Sequence, residues 1–129
     1  MGTKTPKPTD AELAILRVLW EQGPSTVRQI QEVLDRVRTT GYTTVLKLLQ
    51  IMTEKGLVRR DVTERRHVYR VRFSEAQTQQ RLLGDLLERA FAGSTSKLVM
   101  QALCNRKTSP GDLAAIRKLL DEWEEGAIG

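Results

Sequence analysis

Residues 26 to 73 read TVRQIQEVLDRVRTTGYTTVLKLLQIMTEKGLVRRDVTERRHVYRVRF, and the order of patterns in this stretch decides the fold. Thr26 with Gln29 three residues on is a capping pattern. Val27, Ile30, Val33, Leu34 and Val37 then recur on one helical face, which predicts a helix ending near Arg38. Thr39-Thr40-Gly41 supplies the turn of a few residues that a helix-turn-helix needs. A second helix is predicted from about Thr43 to Lys55, stopped by Gly56 at a position suited to left-handed backbone. Its inward stripe is Val45, Leu48, Leu49 and Met52, while Thr43, Lys47, Gln50 and Glu54 point the other way and Thr44 sits on the flank. Leu57–Val62 and Val68–Phe73 read as β-strands joined through Thr63–His67, with Glu64, Arg65 and Arg66 at or near the tip.

Charge concentrates on that hairpin. Between Lys55 and Arg72 stand seven basic residues, Lys55, Arg59, Arg60, Arg65, Arg66, Arg70 and Arg72, against the two acids Asp61 and Glu64. Residues 1–73 carry 14 Lys/Arg against 8 Asp/Glu, whereas residues 74–129 carry 7 against 8. A positive excess confined to one half implies a polyanionic partner for that half. Two adjacent arginines on an exposed tip repel each other unless solvent or a polyanion relieves them, so the hairpin reads either as a charged edge that resists pairing or as a phosphate-contacting wing. The short polar side chains and the lysine on the helix before it are suited to base edges or phosphates. Taken alone, that face is the polar side of any amphipathic helix.

Upstream, Thr9-Asp10-Ala11-Glu12 is a capping box, and Leu13, Leu16, Leu19 and Trp20 follow at helical spacing until Gly23-Pro24, which predicts a packing helix over about 10–22. The Ser25-Thr26 pair has the makings of a very short strand against the hairpin. Residues 1–8, interrupted by Pro6 and Pro8, read as a flexible tail without the apolar core of a signal peptide, so cytoplasmic residence is the expectation. No apolar run approaches the ~20 residues of a membrane span.

Downstream of Ser74 the character changes to helices over about 75–92, 95–105 and from Pro110 on, the last opened by Ser109-Pro110. Their apolar faces carry Leu83, Leu86, Leu87 and Phe91, then Leu98 and Leu103, then Ile116, Leu119, Leu120 and Trp123. Three helices in about 55 residues bury too little surface to stand alone. They either fold back on the first domain or pair with a second copy, and pairing is the reading preferred. Three regions result: a tail (1–8), a helix-turn-helix with a wing (9–73) and a helical dimerisation domain (74–129). The fold class is mainly α with a small β-hairpin.

Chemistry of other kinds finds little footing. His67 is the only histidine and Cys104 the only cysteine, so clustered metal ligands and an intrachain disulfide are excluded within one chain. Cys104 beside Leu103, Leu98 and Val99 reads as a buried thiol. No phosphate-cradling Gly-x-x-x-x-Gly-Lys-Ser/Thr motif occurs. Neither a catalytic residue nor a cofactor is expected.

Thr9-Asp10-Ala11-Glu12-Leu13 with Val18-Leu19-Trp20, Val27-Arg28-Gln29-Ile30, Tyr42-Thr43-Thr44-Val45, Lys55-Gly56-Leu57-Val58 and Arg66-His67-Val68-Tyr69, in this order, resemble the penicillinase-repressor family of winged-helix regulators, the BlaI/MecI type. The resemblance implies a homodimer that represses transcription by occupying a palindromic DNA operator. It implies a recognition helix in the major groove, with Tyr42, Thr43, Thr44, Lys47 and Gln50, and backbone contacts by Thr26, Arg28, Arg65, Arg66 and His67. For some members it implies a membrane sensor-transducer or a protease as partner, with cleavage between an asparagine and a phenylalanine. Here Gln101-Ala102 stands at those positions, and Cys104 alone cannot reproduce the cysteine-rich motif of copper-responsive relatives. A protein–protein docking module and a sequence-indifferent DNA binder are the alternatives, separable by a gel shift with the chain's own upstream DNA against scrambled competitor.

Overall fold

In the computed structural model, residues 5–62, 65–105 and 107–126 are described. Thr9 opens α1 (Asp10–Gln22) with its Oγ1 accepting from Glu12 N at 3.2 Å, while Glu12 Oε1 accepts from Thr9 N at 2.9 Å. The helix stops at Gly23, whose φ of 81° suits a residue without a side chain. β1 (Ser25–Thr26) leads into α2 (Val27–Asp35), where Thr26 and Gln29 repeat the reciprocal cap at 3.2 and 2.8 Å. α3 (Tyr42–Lys55) ends at Gly56 in left-handed geometry, and Leu57 N donates to Met52 O to close the turn. β2 (Val58–Asp61) and β3 (Val68–Val71) form the hairpin, and β1 adds to its other side, giving an antiparallel sheet of order β1-β3-β2. Ser25 pairs with Tyr69 and Thr26 with Val68, so the two-residue strand predicted before α2 exists.

The core is aliphatic. Ile15, Leu16 and Leu19 of α1, Ile30 of α2, and Val45, Leu49 and Met52 of α3 meet Leu57, Val58 and Tyr69 beneath the sheet, all buried. Each such side chain contributes about 1.5–3 kcal/mol by leaving water. That common core fixes α3 against the sheet and leaves its opposite face free for other use.

Glu12 joins the cap to the core. It is 2% exposed, and Lys55 Nζ at the end of α3 lies 2.6 Å from its Oε1. Burial pushes the carboxyl up, but the hydrogen bond from Lys55, the amide of Thr9 and the lysine's charge together outweigh it and hold the group below its ordinary value. A depressed folded-state value means stabilisation that is complete above the unfolded carboxylate range, near ~4.3, and lost as pH falls through the folded value. Glu12→Gln keeps an acceptor for the cap, as Gln29 does on α2, and removes the ion pair. The variant is expected to be less stable than the parent by about 1 kcal/mol at neutral pH. Urea titrations should show the gap narrowing as pH falls through and below the carboxylate range, and a gap that does not narrow would mean the ion pair is not its source.

Several expectations are corrected. α2 ends at Asp35, not near Arg38, and the connection to α3 is residues 36–41 in place of a three-residue turn. Asp35 Oδ1 accepts from Thr40 N at 2.8 Å, and tightened bonds Arg36 N to Val33 O and Val37 N to Leu34 O end the helix. A side chain that binds the backbone ahead competes with another helical turn. Val37 is therefore 92% exposed and leaves the apolar stripe. β2 is shorter than predicted by one residue at each end, and β3 by two at its C-terminal end. The tip residues Thr63 and Glu64 lie outside the described residues.

The rest of the chain forms α4 (Glu75–Phe91), α5 (Thr95–Asn105) and α6 (Pro110–Glu124). The described residues fall into two compact units divided between Asp85 and Leu86, inside α4. Thr78 on the first turns of α4 is 1% exposed, so this part of the helix belongs with the first unit. Before α1, Pro8 is buried, and Thr5 and Pro6 are half-buried. In the second unit, Gly93 N donates to Leu87 O to close α4, and Ser109 Oγ accepts from Asp112 N at 3.0 Å to open α6. No described residue of 86–126 is buried. Cys104 is exposed, against the expectation of a buried thiol, because it lies about 100° around the helix from Leu103.

Candidate nucleic-acid interface

Thr43, Thr44, Lys47 and Gln50 are exposed on the sides of α3 turned away from Val45, Leu49 and Met52, and Tyr42 is exposed at its first residue, on the Leu49 side. The helix begins at Gly41, which gives no side-chain hydrogen bond to the first turn. Its leading amides therefore take partners from solvent or from an approaching anion. Sequence reading placed Gly41 in the turn and did not see this consequence.

Tertiary structure brings three separate segments to one open groove. Thr26 and Arg28 at the start of α2, Tyr42 at the start of α3, and Arg65, Arg66 and His67 of the hairpin line it together. Arg60 and Glu32 line it as well, so four arginines face a single carboxylate among the described lining residues. Thr26 has a double duty, since its hydroxyl oxygen also accepts the amide of Gln29. Thr43, Thr44 and Lys47 do not line this groove. Gln50 lines the neighbouring one with Thr53, Glu54, Arg59, Arg60 and Tyr69.

Arg60 is the residue that sequence reading missed: it borders both grooves. The only available signal was strand register, which sets Arg60 opposite Tyr69 on β3. The adjacent cross-strand pair is Arg59 with Arg70, two like charges face to face. Asp61 Oδ2 takes a hydrogen bond from Arg70 Nη2 at 3.2 Å and offsets that repulsion. Arg70 is thus held within the sheet, whereas Arg65 and Arg66 are exposed at the hairpin end.

A helix pair over a three-stranded antiparallel sheet, with an exposed polar helix face beside an arginine-rich hairpin, defines a winged helix-turn-helix of the nucleic-acid-binding class. The family described as penicillinase repressor matches residues 8–122. A transcriptional regulator BlaI of Mycobacterium tuberculosis is 30% identical over 118 residues, which span 91% of this chain and 85% of that protein. A penicillinase repressor of Bacillus licheniformis is 23% identical over 119 residues, 92% of this chain and 93% of the relative. The chain belongs to the penicillinase repressor family.

Solved structures agree on the fold. The solution structure of the DNA binding domain of the repressor BlaI is similar with a TM-score of 0.51 at 24% identity, covering 59% of this chain and 93% of that one. The Bacillus licheniformis BlaI monomeric form in complex with the blaP half-operator gives a TM-score of 0.51 at 24% identity, over 57% and 90%. The named relatives are a transcriptional regulator and a penicillinase repressor. Among the described residues, no helix is long and apolar enough to cross a membrane.

Proposed function

We propose that this chain is a sequence-specific transcriptional repressor that occupies a palindromic operator as a homodimer, in the cytoplasm and without enzymatic activity. The observation that carries the reading is the convergence of Arg28, Arg60, Arg65 and Arg66 on one groove beside the exposed face of α3, in a chain of this family. In this reading Thr43, Thr44 and Lys47 read base edges, while Tyr42 and Gln50 border them. Thr26, Arg28, Arg65, Arg66 and His67 hold the phosphate backbone. The relative solved with a half-operator supports an analogous use of this fold.

The apolar faces of α4, α5 and α6 support the dimer. Leu83, Leu86, Leu119, Leu120 and Trp123 are 44%, 50%, 45%, 49% and 50% exposed, and Leu87, Phe91, Leu98, Leu103 and Ile116 are half-buried. Apolar side chains at this exposure in one protomer bury their remaining surface against a second copy. A two-fold dimer sets its recognition helices about one DNA turn apart, ~34 Å or a multiple of it. Repression is then steric, because an occupied operator excludes polymerase.

Footprinting on the chain's genomic neighbourhood tests the whole reading: a protected site with two-fold symmetry is expected, and uniform protection would leave only indiscriminate DNA binding. Readout is tested separately by Lys47→Ala and Thr44→Ala. Each is expected to reduce operator affinity by about 1–3 kcal/mol while affinity for random duplex changes much less. Equal losses on both DNAs would show that this face does not read bases.

A further inference from the structure

The segment before α1 takes no part in the interface above, yet the structure ties it to α4 on either side of Gly84. Arg81 Nε donates to the Thr5 carbonyl oxygen at 2.9 Å, and Lys7 Nζ lies 2.6 Å from Asp85 Oδ2. Asp85 Oδ1 also faces Arg81 Nη1 at 3.8 Å. Arg81 and Asp85 are one helical turn apart, and Gly84 stands between them. Glycine weakens a helix interior relative to alanine. A Cβ at position 84 would meet nothing within 4 Å, so packing does not demand a glycine there. The division between the two compact units follows at once, after Asp85.

We propose that residues 5–8 form a splint that keeps α4 helical across its glycine-weakened turn, with Arg81 and Asp85 as its two anchor points. An isolated surface ion pair contributes little. These anchors differ in being linked and shielded, since the Asp85 side chain is 17% exposed and that of Arg81 29%. Pro6 and Pro8 restrict the arm's backbone, and Pro8 is buried, so little conformational freedom remains to be lost when the arm docks. With the arm docked, the helix leaving the DNA-binding unit is a firm connection. With the arm released, the turn around Gly84 becomes its weakest point.

The test uses the full chain, a variant lacking residues 2–7, Arg81→Ala as a milder second variant, and each of these combined with Gly84→Ala. Amide hydrogen exchange over residues 84–88 is expected to quicken about tenfold in the deletion variant and in Arg81→Ala, and Gly84→Ala is expected to bring it back to near the parent rate. Unchanged exchange in both variants, or quickened exchange that Gly84→Ala does not slow, overturns the splint. A second readout rests on the dimeric-repressor reading: losing the arm weakens binding to a full two-fold site and spares an isolated half-site. Equal weakening on the half-site with a shallower salt slope would instead put the deleted lysines on phosphate and overturn the proposal. Because exchange is read without DNA, failure of the splint and failure of the repressor reading give different results.

Discussion

With Arg65 and Arg66 both replaced by alanine, binding to operator and to random duplex should fall together, and its dependence on salt should flatten. Both side chains are exposed at the hairpin end and border the groove that also receives Arg28 and Arg60. Each phosphate neutralised releases condensed counterions and contributes roughly 0.9 to the slope of log affinity against log salt. Two contacts per protomer in a dimer make four, so the slope should become shallower by about 3 to 4. At ~0.15 M salt the same four contacts correspond to a loss on the order of a hundredfold or more. Their removal should leave stability almost unchanged, since neither side chain touches the core. The check is a set of binding isotherms from low to moderate salt on both DNAs, and an unaltered slope would remove the hairpin from the interface.

The second large effect concerns the helical unit. Leu120→Asp combined with Trp123→Asp places two carboxylates on the α6 face whose residues are about half exposed. In a paired face they become buried charges without partners, which no dimer of ordinary stability tolerates. The variant should sediment as single chains at micromolar concentration. Affinity for a full two-fold site should then fall by about 10² to 10⁴, the advantage that linkage confers on the second half-site. Affinity for one half-site should stay as it was. Should the variant still sediment as a dimer, the pairing surface lies elsewhere on the chain. Should the parent be a single chain, no pairing through these helices takes place.

These two experiments divide the molecule as its sequence does, because the features behind them are local and legible. The Thr9/Glu12 and Thr26/Gln29 boxes announce the starts of α1 and α2, Gly56 announces the end of α3, and Ser109-Pro110 the start of α6. The polar face of α3 follows from periodicity alone. By contrast, Val37 belonged to the apolar stripe by spacing and is exposed, since the chain turns after Asp35 once Thr40 offers its amide. Cys104 was judged by its neighbours in sequence and lies around the helix from them. Residues 5–8 read as a tail because their anchors, Arg81 and Asp85, are more than seventy positions away.

What the sequence determined unaided was the list and order of elements, the family they resemble and the sign of the charge on the hairpin. Each depends on contacts within a few residues, where hydrogen-bonding side chains and hydrophobic spacing act directly on the backbone. Only the tertiary structure decided that Thr26, Arg28, Tyr42, Arg60, Arg65 and Arg66 share one groove, and that Glu12 closes on Lys55 across the core. It alone placed a division between compact units inside α4. Those outcomes depend on how α1, α2 and α3 pack over one aliphatic core, and packing joins residues whose separation along the chain carries no periodic signal.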